Sequence, residues 1–227
     1  MCRLRHVYML GFLFVAFFVH ATDYAEFVNL GFSNDSKYFM FSQYGHVDDD
    51  IFAELIVVDV EKNRYAPSGY FYEQFSGPFP VGQTGQGAML TTLANNNGLR
   101  NRYNIDHVET GRIIYFSLLD NPKSDIQFRD TVTNTQYSVL LTQSNIQATS
   151  SIESSFSIEL TTTHPEGGQR FFKIGEPHRY RENVQEYSIQ QIITSEDNRT
   201  LVFLIAMKKN VAGKISFRYM VETVVIR

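Results

Sequence analysis

The strongest constraint on the fold is a polar turn that leads into an apolar strand and occurs near both ends of the chain. The segment Ser33–Phe41 aligns without gaps to Ser195–Phe203, and both follow the pattern Ser-x-Asp-x-basic-x-apolar-x-Phe. Asp and Asn side chains close such turns by bonding the backbone two residues on. An apolar strand candidate precedes each turn, and a further strand follows it. The pattern predicts two related β-meanders.

The rest of the chain also favours strands. Aromatic residues make up 14% of the sequence, with 19 Phe, 13 Tyr and no Trp, and large flat side chains are enriched in strands. Residues 88–95 predict a short helix, whereas the Gly- and Pro-rich stretch Pro67–Gly87 predicts a long loop. We therefore expect a mainly β fold of antiparallel meanders. The other strand candidates are residues 53–60, 112–117, 126–129, 136–142, 154–163, 170–174, 186–193 and 214–226.

The beginning of the chain has the pattern of a secretory signal peptide. Arg3 and Arg5 supply positive charge, and Val7–Val19 is an apolar run of 13 residues. This run is short for a membrane span, which needs about 20 apolar residues. We expect cleavage after Ala21, with an uncleaved anchor as the alternative. The mature chain, residues 22–227, is then expected to be an exported, single β-rich domain without a membrane span.

Cysteine content and charge exclude several classes of protein. The only cysteine is Cys2, which lies in the expected signal peptide. A mature chain without cysteine has no disulfide, no Cys-ligated metal and no cysteine nucleophile. An exported chain of this kind fits the bacterial periplasm. The formal net charge is −4, and no basic stripe is present, so we expect no nucleic-acid partner.

The first polar turn resembles the blade motif of TolB-type β-propellers, in which Phe-Ser-Pro-Asp-Gly-Lys leads into an apolar strand. Here Asn34 replaces the proline and Ser36 replaces the glycine, and the second copy has Glu196 and Asn198 at these positions. The chain would fill fewer than five blades of about 40 to 45 residues. Meanders resembling propeller blades and a β-sandwich are therefore both retained as architectures.

The whole chain resembles a family of predicted secreted bacterial proteins, domain-of-unknown-function family 2259. The resemblance rests on the signal peptide, the first polar turn, the apolar strand 53–60 and the closing segment Arg218–Thr223. It implies export and a bacterial source. It supplies no activity and no catalytic residues.

One acidic loop is a candidate metal site. His46, Asp48, Asp49 and Asp50 lie close together in the sequence, and carboxylate oxygens bind hard cations. The loop lacks the spacing and the terminal Glu of a calcium-binding loop, so a solvated hairpin tip is the alternative. No cofactor is indicated elsewhere in the chain.

A basic and aromatic segment is a candidate binding surface. Arg side chains offer forked donors to carboxylates, and aromatic rings offer stacking faces. Such a surface could bind an anionic sugar or the carboxylates of a protein partner, and a solvated hairpin is the alternative. On the last strand, Arg218 and Glu222 lie on one face and are expected to form an exposed ion pair, with a buried polar network that fixes the register as the alternative. The candidate binding residues are Arg170, Lys173, His178, Arg179, Tyr180 and Arg181.

The sequence carries no nucleophile elbow and no phosphate-binding loop, and whether the protein is an enzyme stays open. The first hypothesis is a non-catalytic periplasmic module that binds an envelope protein or a glycan, or that acts as an envelope scaffold. The alternative is a secreted hydrolase whose acid and base meet only in the fold. A pocket with carboxyls of raised pKa would favour the hydrolase. A surface lined by aromatic and Arg side chains would favour the binding module.

Overall fold

The computed structural model describes residues 23–79, 85–117, 122–148 and 151–226. The helices are α1 (Gln86–Asn95) and α2 (Gly98–Arg102). The strands are β1 (Asp23–Tyr24), β2 (Glu26–Phe32), β3 (Tyr38–Val47), β4 (Asp50–Asp59), β5 (Arg64–Phe75), β6 (Arg112–Phe116), β7 (Asp125–Arg129), β8 (Gln136–Gln147), β9 (Ile152–Thr163), β10 (Gln169–Ile174), β11 (Arg181–Glu182), β12 (Val184–Thr194), β13 (Thr200–Val211) and β14 (Lys214–Val225).

These strands form three sheets. The N-terminal sheet has the strand order β2-β3-β4-β5, and the outer sheet has the order β10-β9-β8-β7, with β11 beside β9. The middle sheet has the order β1-β14-β13-β12-β6, in which only β1 runs parallel to its neighbour. The expected mainly β fold of antiparallel meanders is confirmed.

The middle sheet is buried on both faces. Along β13, Leu201, Phe203 and Ile205 pack into the core shared with the outer sheet. The intervening Val202 and Leu204 pack into the core shared with the N-terminal sheet. Successive side chains of a strand point to opposite faces, so a strand covered on both sides needs a continuous apolar sequence. The three sheets are thus packed face to face, as in a β-sandwich with a third layer.

The two polar turns have the same hydrogen bonds. In the first turn, the Ser33 hydroxyl donates to Asp35 Oδ1 at 2.7 Å and accepts from the backbone N–H of Tyr38 at 2.9 Å. In the second turn, Ser195 bonds Asp197 at 2.5 Å and the N–H of Thr200 at 3.1 Å. The meanders predicted from the sequence therefore begin with the same local structure.

The same turns explain where the chain differs from the propeller-blade motif. Ser36 has a φ of 55° and Asn198 has a φ of 54°, and both occupy the position at which the motif has glycine. Glycine adopts positive φ without steric cost, whereas other residues, of which Asn is among the better tolerated, adopt it less readily. The backbone conformation is kept although the glycine is absent.

The phenylalanines at the end of the repeat are both fully buried. Phe41 and Phe203 each have a relative exposure of 0%. They enter different cores, because Phe41 packs between the N-terminal and middle sheets while Phe203 packs between the middle and outer sheets.

Helix α1 confirms the helix predicted near residues 88–95, and α2 was not predicted. Gly98 begins α2. Both helices cover the face of the N-terminal sheet that points away from the middle sheet, where Met89 contacts Ala53 and Leu99 packs beside Leu55.

The long loop predicted for Pro67–Gly87 is wrong in its first part, because β5 continues to Phe75. Val58 pairs with Tyr65 and Ile56 pairs with Tyr70, so β5 bulges outward between the two tyrosines. Proline is tolerated in a bulge and on an edge strand, and β5 is an edge strand of its sheet. Pro67 therefore marks an irregular strand.

One side-chain amide joins the N-terminal sheet to the middle sheet. Gln43 Oε1 accepts from the backbone N–H of Tyr219 at 2.7 Å, and Gln43 Nε2 donates to the Tyr219 carbonyl at 3.0 Å. Gln43 is only 3% exposed. The Gln43 side chain thus bonds the backbone N–H and carbonyl of Tyr219 on β14, just beyond the residues that pair with β1.

The predicted signal peptide and its cleavage site lie outside the described residues. Among those that are described, no helix is long and apolar enough to cross a membrane.

Candidate binding groove

An open cleft of about 650 Å³ lies along the edge of the middle sheet. We call it the edge cleft. Its walls are the end of β4, the start of β5 and the turn between them, parts of β12, β13 and β14, and the segment that leads from β10 into β11. Charged and aromatic side chains in its lining include Arg64, Tyr65, Arg179, Arg181, Lys209 and Glu222.

A buried carboxyl group forms part of the cleft lining. Glu222 on β14 is 6% exposed and accepts a hydrogen bond from Asn63 Nδ2. The Asn63 side chain is fixed in turn, because its Oδ1 accepts from the backbone N–H of Thr223 at 2.7 Å. Burial raises the pKa of Glu222, although the bond from Asn63 opposes the rise. This carboxyl is held in place and keeps its proton to a higher pH than an exposed glutamate.

Arg181 places a guanidinium group in the same cleft. Its Cζ lies 5.5 Å from the ring centroid of Phe156 and 5.9 Å from that of Tyr187. The Nη1 atom is buried and has no hydrogen-bond partner among the described residues. A buried donor without a partner costs free energy, so each such group in a folded protein calls for an explanation.

The other cations of the cleft are also largely unpaired. Arg179 lies 3.7 Å from Glu176, measured from Nη1 to Oε2, and both are well exposed. None of the ion pairs within the described residues involves Arg64, Arg181 or Lys209. Three positive groups therefore line the cleft without an ion-pair partner in the part of the chain that the structure describes.

Three tyrosines of β5 extend the cleft along the N-terminal sheet. Tyr65, Tyr70 and Tyr72 are 51%, 45% and 45% exposed, respectively, and we call them the tyrosine shelf. They lie opposite Val58, Ile56 and Glu54 of β4, respectively. Opposite residues in an antiparallel pair share a face, so the shelf is on the face that is turned toward the middle sheet.

The bulge in β5 brings two of these rings together. The rings of Tyr65 and Tyr70 are 5.7 Å apart between centroids and 1° from parallel. In a regular strand, residues five positions apart point to opposite faces. The irregular segment with Pro67 and Gly69 is thus the reason that both rings lie on one surface.

A second carboxyl with a raised pKa lies beneath the shelf. Glu54 accepts a hydrogen bond from the Tyr70 hydroxyl at 3.3 Å and another from Gln43 Nε2 at 2.6 Å. Burial raises the pKa of Glu54, and burial together with the nearby Glu54 raises the pKa of the Tyr70 phenol. Tyr70 therefore remains a neutral hydroxyl over the ordinary pH range.

Of the six candidate binding residues, the structure brings Arg179 and Arg181 together in the edge cleft. Arg170 lies in a different cleft, of about 580 Å³, which His164 and Arg199 also line. The segment predicted as one surface is therefore divided between two sites.

The remaining three candidates lie outside both clefts. Lys173 is exposed on β10, opposite Glu159 of β9. His178 is exposed. The Tyr180 hydroxyl is 3.2 Å from Ser144 Oγ on β8.

The acidic loop forms the hairpin tip between β3 and β4, as the alternative interpretation had it. Asp48 Oδ1 forms an ion pair with Lys214 Nζ, and Asp50 Oδ2 accepts from Gln74 Nε2 at 2.6 Å. His46 and Asp49 are exposed. Within the described ranges, no group of three or more His, Cys, Asp or Glu side chains is arranged to hold a metal ion.

The exposed ion pair expected between Arg218 and Glu222 is wrong. Glu222 is buried against Asn63. The Arg218 guanidinium instead lies 4.4 Å from the ring centroid of Phe52 and donates to the backbone carbonyls of Phe217 and His46. The two side chains belong to the same strand but contact different partners.

A family described as "Predicted secreted protein (DUF2259)" matches residues 40–225. The chain belongs to DUF2259. The matched residues include those of the edge cleft and the tyrosine shelf. The family description agrees with the export that the signal peptide predicts. The comparisons with curated proteins and with solved structures found no match.

Proposed function

We propose that this DUF2259 protein is a non-catalytic periplasmic module that binds a glycan in the edge cleft and on the tyrosine shelf. The observation that carries the proposal is the pair of parallel, half-exposed rings of Tyr65 and Tyr70 beside a cleft rich in hydrogen-bond donors. A tyrosine offers a large apolar face and a polar tip, which suits a sugar ring with its C–H faces and hydroxyl rim.

The rigidity of the surroundings favours binding without induced rearrangement. The Tyr70 hydroxyl is held by Glu54, and Glu54 is held by Gln43, which also bonds the middle sheet. Side chains that are already fixed lose little conformational entropy when a ligand binds.

Binding to soluble polysaccharides by isothermal titration calorimetry tests this proposal. A panel of neutral and acidic polymers is compared for the wild-type protein, Tyr70→Ala and Phe171→Ala. Phe171 is 73% exposed on the outer sheet and serves as the matched control. We expect Tyr70→Ala to weaken binding at least tenfold and Phe171→Ala to leave it unchanged. Failure of every polymer to bind, or equal losses in both variants, would overturn the proposal.

One observation favours the hydrolase as a second candidate. Two carboxyl groups have a raised pKa: Glu54 lies beneath the tyrosine shelf and Glu222 lines the edge cleft. A general acid needs a raised pKa. Release of new reducing ends from the bound polymer would identify a hydrolase. In that case Glu222→Gln or Glu54→Gln should abolish product formation while binding is retained.

A further inference from the structure

We propose that the glycan bound by the edge cleft carries carboxylate groups on its sugar rings, as a polyuronate does. This inference rests on the proposed function and adds the chemical class of the ligand. It starts from the guanidinium group of Arg181, which forms part of the cleft wall and has no ion-pair partner among the described residues.

The position of Arg181 is fixed before a ligand arrives. Its strand β11 is paired to Ser154 and Glu153 of β9, and its guanidinium lies against Phe156 and Tyr187. A planar guanidinium that is already oriented binds a carboxylate with two parallel hydrogen bonds. A carboxylate in the cleft would therefore meet a cation whose orientation the protein already fixes.

The charge balance of the cleft also favours an anionic ligand. Arg64, Arg181 and Lys209 have no ion-pair partner among the described residues, while Arg179 pairs with Glu176. Of the remaining acids, Glu222 is buried and bonded to Asn63, and Glu182 is exposed. The unpaired cations thus exceed the acids that remain to balance them.

The neighbouring shelf indicates that the anion belongs to a sugar ring. Tyr65 lines the cleft itself and is stacked on Tyr70. A ligand that fills the cleft therefore also lies against an aromatic surface. A ring that packs on Tyr65 while its carboxylate reaches Arg181 uses both features, whereas a small free anion uses only the cation.

The test compares polygalacturonate, dextran and dextran sulfate as ligands of the full mature protein, with affinities measured by calorimetry at low and high salt. We expect polygalacturonate to bind, dextran to bind at least tenfold more weakly, and high salt to weaken the polygalacturonate complex because screening acts on exposed charges. Equal binding of dextran would overturn the carboxylate inference while leaving the glycan proposal intact. Tighter binding of dextran sulfate would replace carboxylate by sulfate and also overturn it.

Variants separate the roles of charge and of hydrogen-bond geometry. Arg64→Gln and Lys209→Gln each remove one cleft cation, and Lys173→Gln removes one exposed cation from the outer sheet as the matched control. We expect the first two to weaken polygalacturonate binding at least threefold and to reduce its salt dependence, and the control to change neither. Arg181→Lys keeps the charge but loses the fork, so it should weaken binding at least tenfold while a melting curve verifies folding. Unchanged binding in Arg181→Lys, or an equal loss in Lys173→Gln, would refute the assignment.

Discussion

Removing the serine hydroxyl from each polar turn should reveal how far the two turns are equivalent. Ser33 and Ser195 are 2% and 1% exposed, and each hydroxyl bonds an aspartate and a backbone N–H. Alanine removes both bonds and leaves that N–H without its acceptor. The two turns differ in one respect, because the N–H of Thr200 is buried whereas that of Tyr38 is only partly buried.

This difference sets the expected magnitudes. A neutral hydrogen bond contributes about 0.5–1.5 kcal/mol, and an unsatisfied buried donor costs about 1–3 kcal/mol. We expect Ser33→Ala to lower the free energy of unfolding by about 1–2 kcal/mol. Ser195→Ala should lower it by about 2–3 kcal/mol, because the donor at Thr200 has no access to water.

Urea titration followed by circular dichroism measures both losses, and Ser76→Ala at an exposed position serves as the control. The midpoint should shift while the slope of the transition stays constant, since neither change alters the surface exposed on unfolding. Losses below about 0.5 kcal/mol in both variants, or a larger loss at Ser33 than at Ser195, would refute the role assigned to these hydroxyls.

Three further predictions concern the core, the buried acid and the export of the chain. Phe41→Ala and Phe203→Ala should each cost about 3–5 kcal/mol in a denaturant titration, whereas Lys37→Ala at an exposed position should have no measurable effect; small losses for both phenylalanines would exclude the proposed register. Because the folded protein favours the protonated form of Glu222, its contribution to stability is present at low pH and is lost as the pH rises through the raised pKa. Glu222→Gln should therefore melt at a higher temperature than the wild type at pH 8, with a difference that shrinks toward pH 4, and a difference that does not vary with pH would contradict the raised pKa. The intact mass of protein from the native host should lack the signal peptide, and a product that retains Cys2 would show an uncleaved chain.

The strands with a regular pattern could be predicted from the sequence because their burial follows their periodicity. Phe156, Ile158 and Leu160 alternate with polar residues, and all three lie in the core between the middle and outer sheets. The continuous apolar run Leu201–Met207 is likewise typical of a buried strand, and two-sided burial is the reason for it. In both cases the local sequence reports the environment of each side chain directly.

The edge cleft and the tyrosine shelf could not be predicted, because their residues come together only through an irregular strand and long-range contacts. Pro67 and Gly69 have the composition of a loop, and this concealed the strand that carries the tyrosine shelf. The hydrogen bond that Glu222 accepts comes from Asn63, which is distant in the sequence and close only in the fold. The closely spaced Tyr65, Tyr70 and Tyr72 were the available signal for the tyrosine shelf. Tyrosine has an apolar face and a polar tip, which suit a binding surface.

The amide of Gln43 has a consequence for how molecules of this protein meet one another. Exposed strand edges are templates on which a second chain can add a strand and begin to aggregate. At Tyr219 both backbone groups of β14 are already bonded to Gln43, and an approaching strand would have to displace this side chain from a site that excludes water. The Gln43 amide thus makes the two hydrogen bonds that the backbone of an added strand would otherwise make. The Gln43 side chain therefore blocks strand addition at this edge of β14, beyond the end of β1.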